Sequence, residues 1–198
     1  MAERIRTFIA VNLTDELRAQ AAAIQQELRA AAASVKWVDP AGMHFTLKFL
    51  GGVEAGLMDG VIAGNAAAVD GQAEFDLTLH GAGAFPRPGS ARVVWVGVTA
   101  GAEQMAELAR RIEQAMTPLG FPPEKRPFSA HMTLGRVKAP PGSGLREAIE
   151  RLREAPVGTM RVTSVAVMKS ELTPRGAIYT RLADARLSPA ADAGGEGA

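Results

Sequence analysis

Two histidines open nearly identical tetrapeptides that lie about half the chain length apart. His44 begins the run His-Phe-Thr-Leu and His131 begins the run His-Met-Thr-Leu, each in a segment whose apolar residues predict a β-strand. Residues i and i+2 of a strand point to the same face, so His44 projects with Thr46, and His131 with Thr133. If the two strands lie side by side, one surface receives two imidazoles and two hydroxyls.

This set of side chains has the composition of a metal-free acid–base site. Imidazole titrates near neutral pH, so one ring can deprotonate a water while the other protonates a leaving oxygen. Neighbouring hydroxyls can hydrogen-bond the non-bridging oxygens of a phosphate, where negative charge accumulates. The set is therefore suited to splitting a phosphodiester, and the near symmetry of the motifs leaves open which imidazole is the acid.

Composition narrows the possible classes of protein. The 198 residues are 47% hydrophobic and 22% charged, as in an ordinary soluble globular chain, and the net charge of +1 requires any nucleic-acid contact to come from a local patch. Cysteine is absent, which excludes disulfides, thiolate catalysis and cysteine zinc sites and fits a reducing cytosol. No apolar run predicts a membrane span or a signal peptide, and no Gly-rich phosphate loop suggests ATP binding.

The elements that position the motifs follow a repeated order of strand, helix, strand, helix and strand. This order predicts an α+β chain with an internal two-fold repeat whose halves share a cleft. Strands are expected over residues 6–13, 36–38, 43–50, 74–83, 92–98, 129–137, 159–170 and 177–182, and helices over 15–33, 54–69, 102–119 and 142–154. Residues 1–187 are assigned to one bilobal domain, and residues 188–198 to a disordered tail.

Further segments extend the similarity beyond the two motifs. The sequence resembles the 2H phosphoesterase superfamily, which two His-x-Thr-x motifs on paired strands define. Within it, the chain is most similar to the bacterial and archaeal RNA 2′,3′-cyclic phosphodiesterases, once named 2′-5′ RNA ligases. The matching segments are residues 6–11, 36–38, 44–51, 83–86, 94–97, 126–136, 170–172 and Tyr179.

The resemblance implies a fold, an activity and a site. The fold would be two pseudo-symmetric lobes, each a small antiparallel sheet backed by helices, with a central cleft that carries both motifs. The enzyme would hydrolyse RNA ends bearing a 2′,3′-cyclic phosphate to a 2′-phosphate, without metal or cofactor. By analogy His44 would donate a proton to the 3′-oxygen and His131 would accept one from water, while Thr46, Thr133 and Arg136 would bind the phosphate.

Arg136 presents a difficulty, because strict alternation puts it on the face opposite His131. It joins the site only if the strand bends or ends near Gly135. Core packing is the interpretation for Trp37 and Phe49. Candidate RNA contacts are cations and aromatic rings near the motifs, namely Lys48, Arg126, Phe128 and Tyr179.

Several alternatives stay open on the sequence alone. His80 has no threonine two positions later, so we interpret it as a solvated strand residue, with lining of the RNA groove as the alternative. A zinc site is disfavoured, since it needs three or four ligands. Rival functions are hydrolysis of a different cyclic or 2′-5′-linked phosphodiester, such as a small nucleotide, and a catalytically silent module that binds RNA ends. We expect a cytoplasmic monomer in which hydrolysis dominates over any reverse ligation.

Overall fold

The computed structural model describes residues 3–32, 34–140, 142–174 and 176–189. They form nine strands and four α-helices. The strands are β1 (Arg4–Asn12), β2 (Val35–Trp37), β3 (His44–Glu54), β4 (Phe75–Phe85), β5 (Val93–Ala100), β6 (His131–Val137), β7 (Pro156–Val162), β8 (Ser164–Thr173) and β9 (Gly176–Arg186). The helices are α1 (Asp15–Ala30), α2 (Met58–Val69), α3 (Ala102–Met116) and α4 (Ser143–Arg151).

The strands form two antiparallel sheets. One has the order β3-β1-β8-β9 and the other the order β2-β6-β5-β4-β7. The strands that begin at the motif histidines, β3 and β6, belong to different sheets and lie next to each other where the sheets meet. Two antiparallel sheets with four helices confirm the expected α+β class.

The two halves of the chain are related by an internal repeat. Starting from the motif strand, the order β3-β1-β8-β9 in one sheet corresponds to β6-β5-β4-β7 in the other, with β2 added beyond β6. Each of the helices α1 and α3 packs on the sheet to which its preceding strand does not belong. The helix α1 follows β1 of the first sheet and packs on the second sheet, whereas α3 follows β5 of the second sheet and packs on the first. Each half of the sequence therefore supports the motif strand of the other half.

The helices α1 and α3 repeat one another in their buried positions. Thr14 caps α1 by accepting a hydrogen bond from the Leu17 N–H, and acidic residues occupy its first turn. The apolar stripes of both helices have the spacing of one helical face. They consist of Leu17, Ala21, Ile24 and Leu28 in α1, and of Met105, Ala109, Ile112 and Met116 in α3.

One sequence-based assignment is wrong. Residues 159–170 were expected to form one strand, but β7 ends at Val162 and β8 begins at Ser164, in the other sheet. Both strands carry buried apolar residues, so the hydrophobic pattern runs on through the change of sheet. The tail was expected to begin at residue 188, but Ser188 forms a bridge with Ala73, and the tail from position 190 onward lies outside the described residues.

None of the helices in the described part of the chain combines the length and the apolar character that a membrane span requires.

Candidate active site

Both motif histidines stand at the first residue of their strands and are held in the same way. The Nδ1 atom of His44 lies 2.7 Å from the carbonyl oxygen of Gly42, and Nδ1 of His131 lies 2.8 Å from that of Ser129. A carbonyl oxygen only accepts, so Nδ1 carries the hydrogen in both rings. Nε2 is left in each case as the nitrogen that can exchange a proton with a substrate.

The motif threonines lie on the same face as their histidines. Thr46 is exposed, and its Oγ1 is 3.1 Å from Nε2 of His44. Thr133 pairs with Trp95 of the neighbouring strand and is half-buried. We call the face of each sheet that bears its motif histidine and threonine the motif face.

Aromatic rings surround His44. Phe8 stacks on the imidazole with a centroid separation of 4.6 Å, and Tyr179 meets it edge-on at 5.1 Å. Burial among these rings lowers the pKa of His44 below its ordinary value of 6.5, and the hydrogen bond to Gly42 opposes this shift only in part. The free imidazole is therefore neutral at pH 7.

The tyrosine reaches this position because Gly42 has no side chain. A Cβ at Gly42 would lie 2.9 Å from Cε2 of Tyr179, closer than real Cβ contacts. The same glycine supplies the carbonyl that anchors His44. It is a site residue that the sequence analysis missed, since the sequence around Gly42 indicates only an ordinary turn.

Aromatic packing on the His131 side differs in detail. Phe85 meets the His131 ring edge-on at 4.9 Å, and Trp95 packs on Phe85 at 5.1 Å. The indole ring of Trp95 covers Gly83, where a Cβ would clash with the ring. In both halves, therefore, a glycine without a side chain, Gly42 or Gly83, leaves room for an aromatic ring near the motif.

A β-bulge follows each motif threonine. In β3, Thr46 pairs with Ala10 and Lys48 with Ile9, which leaves Leu47 as the extra residue. In β6, Thr133 pairs with Trp95 and Gly135 with Val94, which leaves Leu134 as the extra residue. A single extra residue reverses the inward and outward alternation of the strand beyond it.

The bulges bring the fifth residue after each histidine onto the motif face. Arg136 pairs with Val93, which shares its side of β5 with Trp95, the partner of Thr133. The condition that the sequence sets for Arg136, an irregular strand near Gly135, is therefore met by the bulge at Leu134. Arg136 is exposed on the same face as His131.

Phe49 corresponds to Arg136 in the other half. It pairs with Phe8 on the motif face and is 42% exposed, so its assignment to the core was wrong. The guanidinium of Arg6 lies 4.4 Å from the centre of its ring. The β3 bulge is again the reason, since alternation from His44 would have turned Phe49 inward.

Lys48 does not contact the site, contrary to the expectation that it binds RNA. Its side chain is only 1% exposed, and Nζ donates to Oε1 of Glu113 at 2.6 Å and to the carbonyl oxygen of Pro122 at 3.0 Å. The bulge turns this residue toward the core, where burial of an ammonium requires a charged partner.

The remaining candidates have mixed positions. Arg126 is exposed in the loop before β6, whereas Phe128 is half-buried and packs against the core. Trp37 also packs against the core, as expected. His80 pairs with Gly97, the residue that pairs with His131 on its other side, so the register places it on the motif face. Lining of the groove is thus the interpretation that this position favours.

A second cation that the sequence analysis did not single out lies beside Arg136. Lys36 of β2 is exposed and pairs directly with Arg136 of β6. Among the described residues, neither forms a salt bridge with a carboxylate. Like charges opposite one another across two strands are unfavourable, so this pair indicates an anion-binding position. Only knowledge of the pairing of β2 with β6 would have revealed it.

Within the part of the chain that the structure describes, no three His, Asp or Glu side chains come together as a metal-binding group.

Comparison with known proteins places this arrangement in a family. The model of the 2′-5′ RNA ligase superfamily matches residues 13–174. An RNA 2′,3′-cyclic phosphodiesterase of Methanothermobacter thermautotrophicus is 40% identical over 185 residues, which cover 93% of this chain and 100% of that protein. The Archaeoglobus fulgidus protein of the same name is 36% identical over 178 residues, or 90% and 98% of the two chains.

Solved structures agree with the sequence relatives. TT0787 of Thermus thermophilus superposes with a TM-score of 0.79 at 31% identity, covering 92% of this chain and 98% of its own. Apo LigT of E. coli gives a TM-score of 0.71 at 26% identity, with coverage of 94% and 99%. The resemblance inferred from the motifs is confirmed: the chain belongs to the 2′-5′ RNA ligase superfamily, whose members are 2H phosphoesterases.

Proposed function

We propose that the chain is an RNA 2′,3′-cyclic phosphodiesterase that opens the cyclic phosphate by acid–base catalysis with His44 and His131. The observation that carries the proposal is the matched anchoring of the two rings. Each Nδ1–H donates to a carbonyl oxygen, which leaves Nε2 of both rings for proton transfer. Relatives that cover nearly the whole chain bear the same enzyme name.

The proposed reaction needs one proton acceptor and one proton donor. Nε2 of His131 takes a proton from the water whose oxygen attacks phosphorus. The bond from phosphorus to the 3′-oxygen breaks, and protonated Nε2 of His44 gives its proton to that oxygen. The product is a 2′-phosphate with a free 3′-hydroxyl, and solvent exchange restores both rings.

The lowered pKa of His44 suits the donor role once substrate is bound. An imidazolium in an apolar setting releases its proton readily to a leaving oxygen. The negative phosphate favours the protonated ring when it binds, which offsets the burial that keeps the free ring neutral. Thr46, Thr133 and Arg136 would stabilise the charge on the non-bridging oxygens.

Cation placement favours an RNA end over a smaller substrate. Arg136 would hold the reacting phosphate, and Lys36 opposite it on the outer strand β2 would contact the preceding phosphate of the chain. The exposed Phe49 beneath Arg6 offers a flat apolar surface to an unstacked base. LigT of E. coli has been solved in complex with 3′-AMP.

The first test is incubation with an oligonucleotide that ends in a 2′,3′-cyclic phosphate, in excess EDTA, with identification of the product isomer. We expect a 2′-phosphate from the unmodified chain. His44→Ala and His131→Ala should each lower kcat/KM by at least about 10²-fold while leaving the circular dichroism spectrum unchanged. Turnover at the unmodified level by either variant would refute the mechanism.

The small-nucleotide alternative has its own test. Lys36→Ala should raise KM for a cyclic-phosphate oligonucleotide several-fold, roughly as expected for one lost phosphate contact, and should leave KM for a mononucleotide 2′,3′-cyclic phosphate unchanged. Lys138, an exposed lysine just beyond the end of β6, provides the matched control. Equal effects on both substrates would favour the small nucleotide, and binding without turnover would favour the silent module.

A further inference from the structure

A buried amide of α1 is bonded to the bulge of the second motif strand. Gln25 is 3% exposed, and its Nε2 donates to the carbonyl oxygen of Leu134 at 2.9 Å and to that of Val38 at 2.7 Å. The Leu134 carbonyl, which belongs to the extra residue of the bulge, also accepts from the Val38 N–H at 2.9 Å. Gln25 therefore ties together β6 and the end of β2 at the point where the alternation of β6 reverses.

The other half of the molecule has a buried ion pair, between Glu113 and Lys48, at the corresponding position. Glu113 occupies in α3 the position that Gln25 occupies in α1, between the buried residues Ile112 and Met116. Its Oε1 accepts from Nζ of Lys48, the residue just past the β3 bulge, and from the Glu124 N–H at 3.0 Å. In both halves, therefore, a helix side chain bonds to the bulge of the motif strand in the other half. The interaction is an amide–carbonyl hydrogen bond for Gln25 and an ion pair for Glu113.

We propose that Gln25 is a positioning residue for phosphate binding, which acts through the Leu134 bulge to keep Arg136 on the motif face. The inference rests on the proposed function, since it concerns the same phosphate site. Gln25 touches no reacting atom, and its effect passes through one backbone carbonyl.

The physical reason is the difference in free energy between two registers of β6, one with the Leu134 bulge and one without it. Loss of the bulge restores regular alternation and turns Arg136 toward the core, as a one-residue slip does in any strand. Leu134 has no partner residue in β5, and its carbonyl oxygen accepts from the Gln25 amide as well as from the Val38 N–H, so we infer that the amide stabilises the bulged form. Removal of the donor leaves a buried carbonyl with one partner fewer and weakens the preference for that form.

The test is a double-mutant cycle between Gln25 and Arg136, read out by calorimetric binding of inorganic phosphate. Gln25→Met keeps the length and volume of the side chain and removes the donor. We expect it to weaken phosphate binding on the order of tenfold in the unmodified chain, and by less than about twofold when Arg136→Ala is present. Arg136→Ala alone should weaken binding by at least as much as Gln25→Met.

A matched control separates positioning from general loss of stability. Asn65 of α2 is 1% exposed and donates from Nδ2 to the carbonyl oxygen of Val165 at 3.2 Å, away from both bulges. Asn65→Leu removes a comparable buried amide and should leave phosphate affinity within about twofold.

Additive effects of Gln25→Met and Arg136→Ala would overturn the proposal, as would equal losses in Gln25→Met and Asn65→Leu. If Gln25→Met does not fold, Gln25→Asn gives the same comparison, since its shorter amide cannot reach both carbonyl oxygens. Absence of phosphate binding by the unmodified chain would instead contradict the proposed function. Binding that Gln25→Met leaves unchanged contradicts only the positioning role.

Discussion

At the scale of the residue, the two motif histidines share an anchor but differ in surroundings. Both donate Nδ1–H to a carbonyl oxygen two residues earlier in the chain. His44 is enclosed by Phe8 and Tyr179, and desolvation there lowers its pKa. The sequence motifs are nearly symmetric, and it is the rings around them that make the two imidazoles unequal.

The contribution of Tyr179 to this inequality is testable. Tyr179→Ala should raise the pKa of His44 toward 6.5, because it opens the imidazole to water and relieves the desolvation. Tyr179→Phe keeps the ring and should leave the pKa below 6.5. Titration of the imidazole C–H resonances by NMR measures both, and an unchanged pKa in Tyr179→Ala would show that this ring does not cause the shift.

Turnover should also depend on pH through both rings. One group must be protonated and the other neutral, so kcat/KM should follow a bell-shaped profile between about pH 5 and 9. The active form has His44, the proposed donor, protonated while His131 is neutral. Because Tyr179→Ala raises the pKa of His44, it should move the limb that His44 governs to higher pH in kcat/KM, which reports the free enzyme. A profile that rises or falls monotonically would argue against paired imidazoles.

At the scale of the element, the bulges in β3 and β6 decide which residues serve the site. They place Phe49 and Arg136 on the motif face and turn Lys48 inward. The residue that follows the bulge differs in size and charge between the two halves. Lys48 fills it in one half, whereas Gly135 leaves room for Val35 and Trp37 in the other.

The buried ion pair behind the first bulge should respond asymmetrically to substitution. Lys48 is 1% exposed and Glu113 is 23% exposed, so Glu113→Met strands a buried ammonium, whereas Lys48→Met leaves a carboxylate that water can reach. We expect losses in the free energy of unfolding of about 3–5 kcal/mol and about 1–2 kcal/mol, respectively.

The joint substitution completes this prediction. Lys48→Met with Glu113→Met replaces the ion pair by two apolar side chains and should recover most of the loss caused by Glu113→Met alone. Urea denaturation of the three variants provides the values. A joint variant that is less stable than Glu113→Met would mean that the pair itself, rather than the uncompensated charge, accounts for the stability.

At the scale of the whole molecule, the two halves depend on one another because each of the helices α1 and α3 packs on the sheet of the other half. The helix α1 supports β6 through Gln25, and α3 supports β3 through Glu113. The buried apolar residues form a core that spans both sheets. A change in one half is therefore expected to be felt at the motif of the other half.

The His44 pKa links the site to the stability of the whole fold. Because its folded-state pKa is lowered, the unfolded chain binds the proton more readily. The His44 contribution is fully present above the ordinary value of 6.5 and is lost as the pH falls from there through the folded-state pKa. Urea unfolding at pH 7.5 and pH 5 should therefore show a smaller acid-induced loss in His44→Gln than in the unmodified chain.

An equal acid-induced loss in the free energy of unfolding of His44→Gln and of the unmodified chain would show that His44 does not contribute to the acid dependence. His80→Gln is the matched control, since His80 is also a half-buried strand histidine of this chain.

The sequence predicted the paired motifs because a period of two and a repeated tetrapeptide are local signals. It predicted α1 and α3 for the same reason, through their apolar stripes and the Thr14 cap. What it missed depends on register. A bulge adds one residue without a local signal in the apolar pattern, so regular alternation from the histidines places Phe49, Lys48 and Arg136 on the wrong face.

Other omissions come from pairings between distant segments. The cation pair of Lys36 and Arg136 requires that β2 lie beside β6. The contact between Gly42 and Tyr179 joins a turn near the start of the chain to its last strand. The division between β7 and β8 was hidden because a strand can leave one sheet and enter the other within a single residue, Thr163.

The strand β3 lies at the edge of its sheet, and two register shifts interrupt its pairing with β1. A long, regular edge strand would offer its free backbone groups to a strand of another molecule and invite aggregation. Bulges twist and shorten the regular stretch, which makes such an edge a poor template. The irregularity that directs Phe49 to the site therefore also protects the chain against self-association through β3.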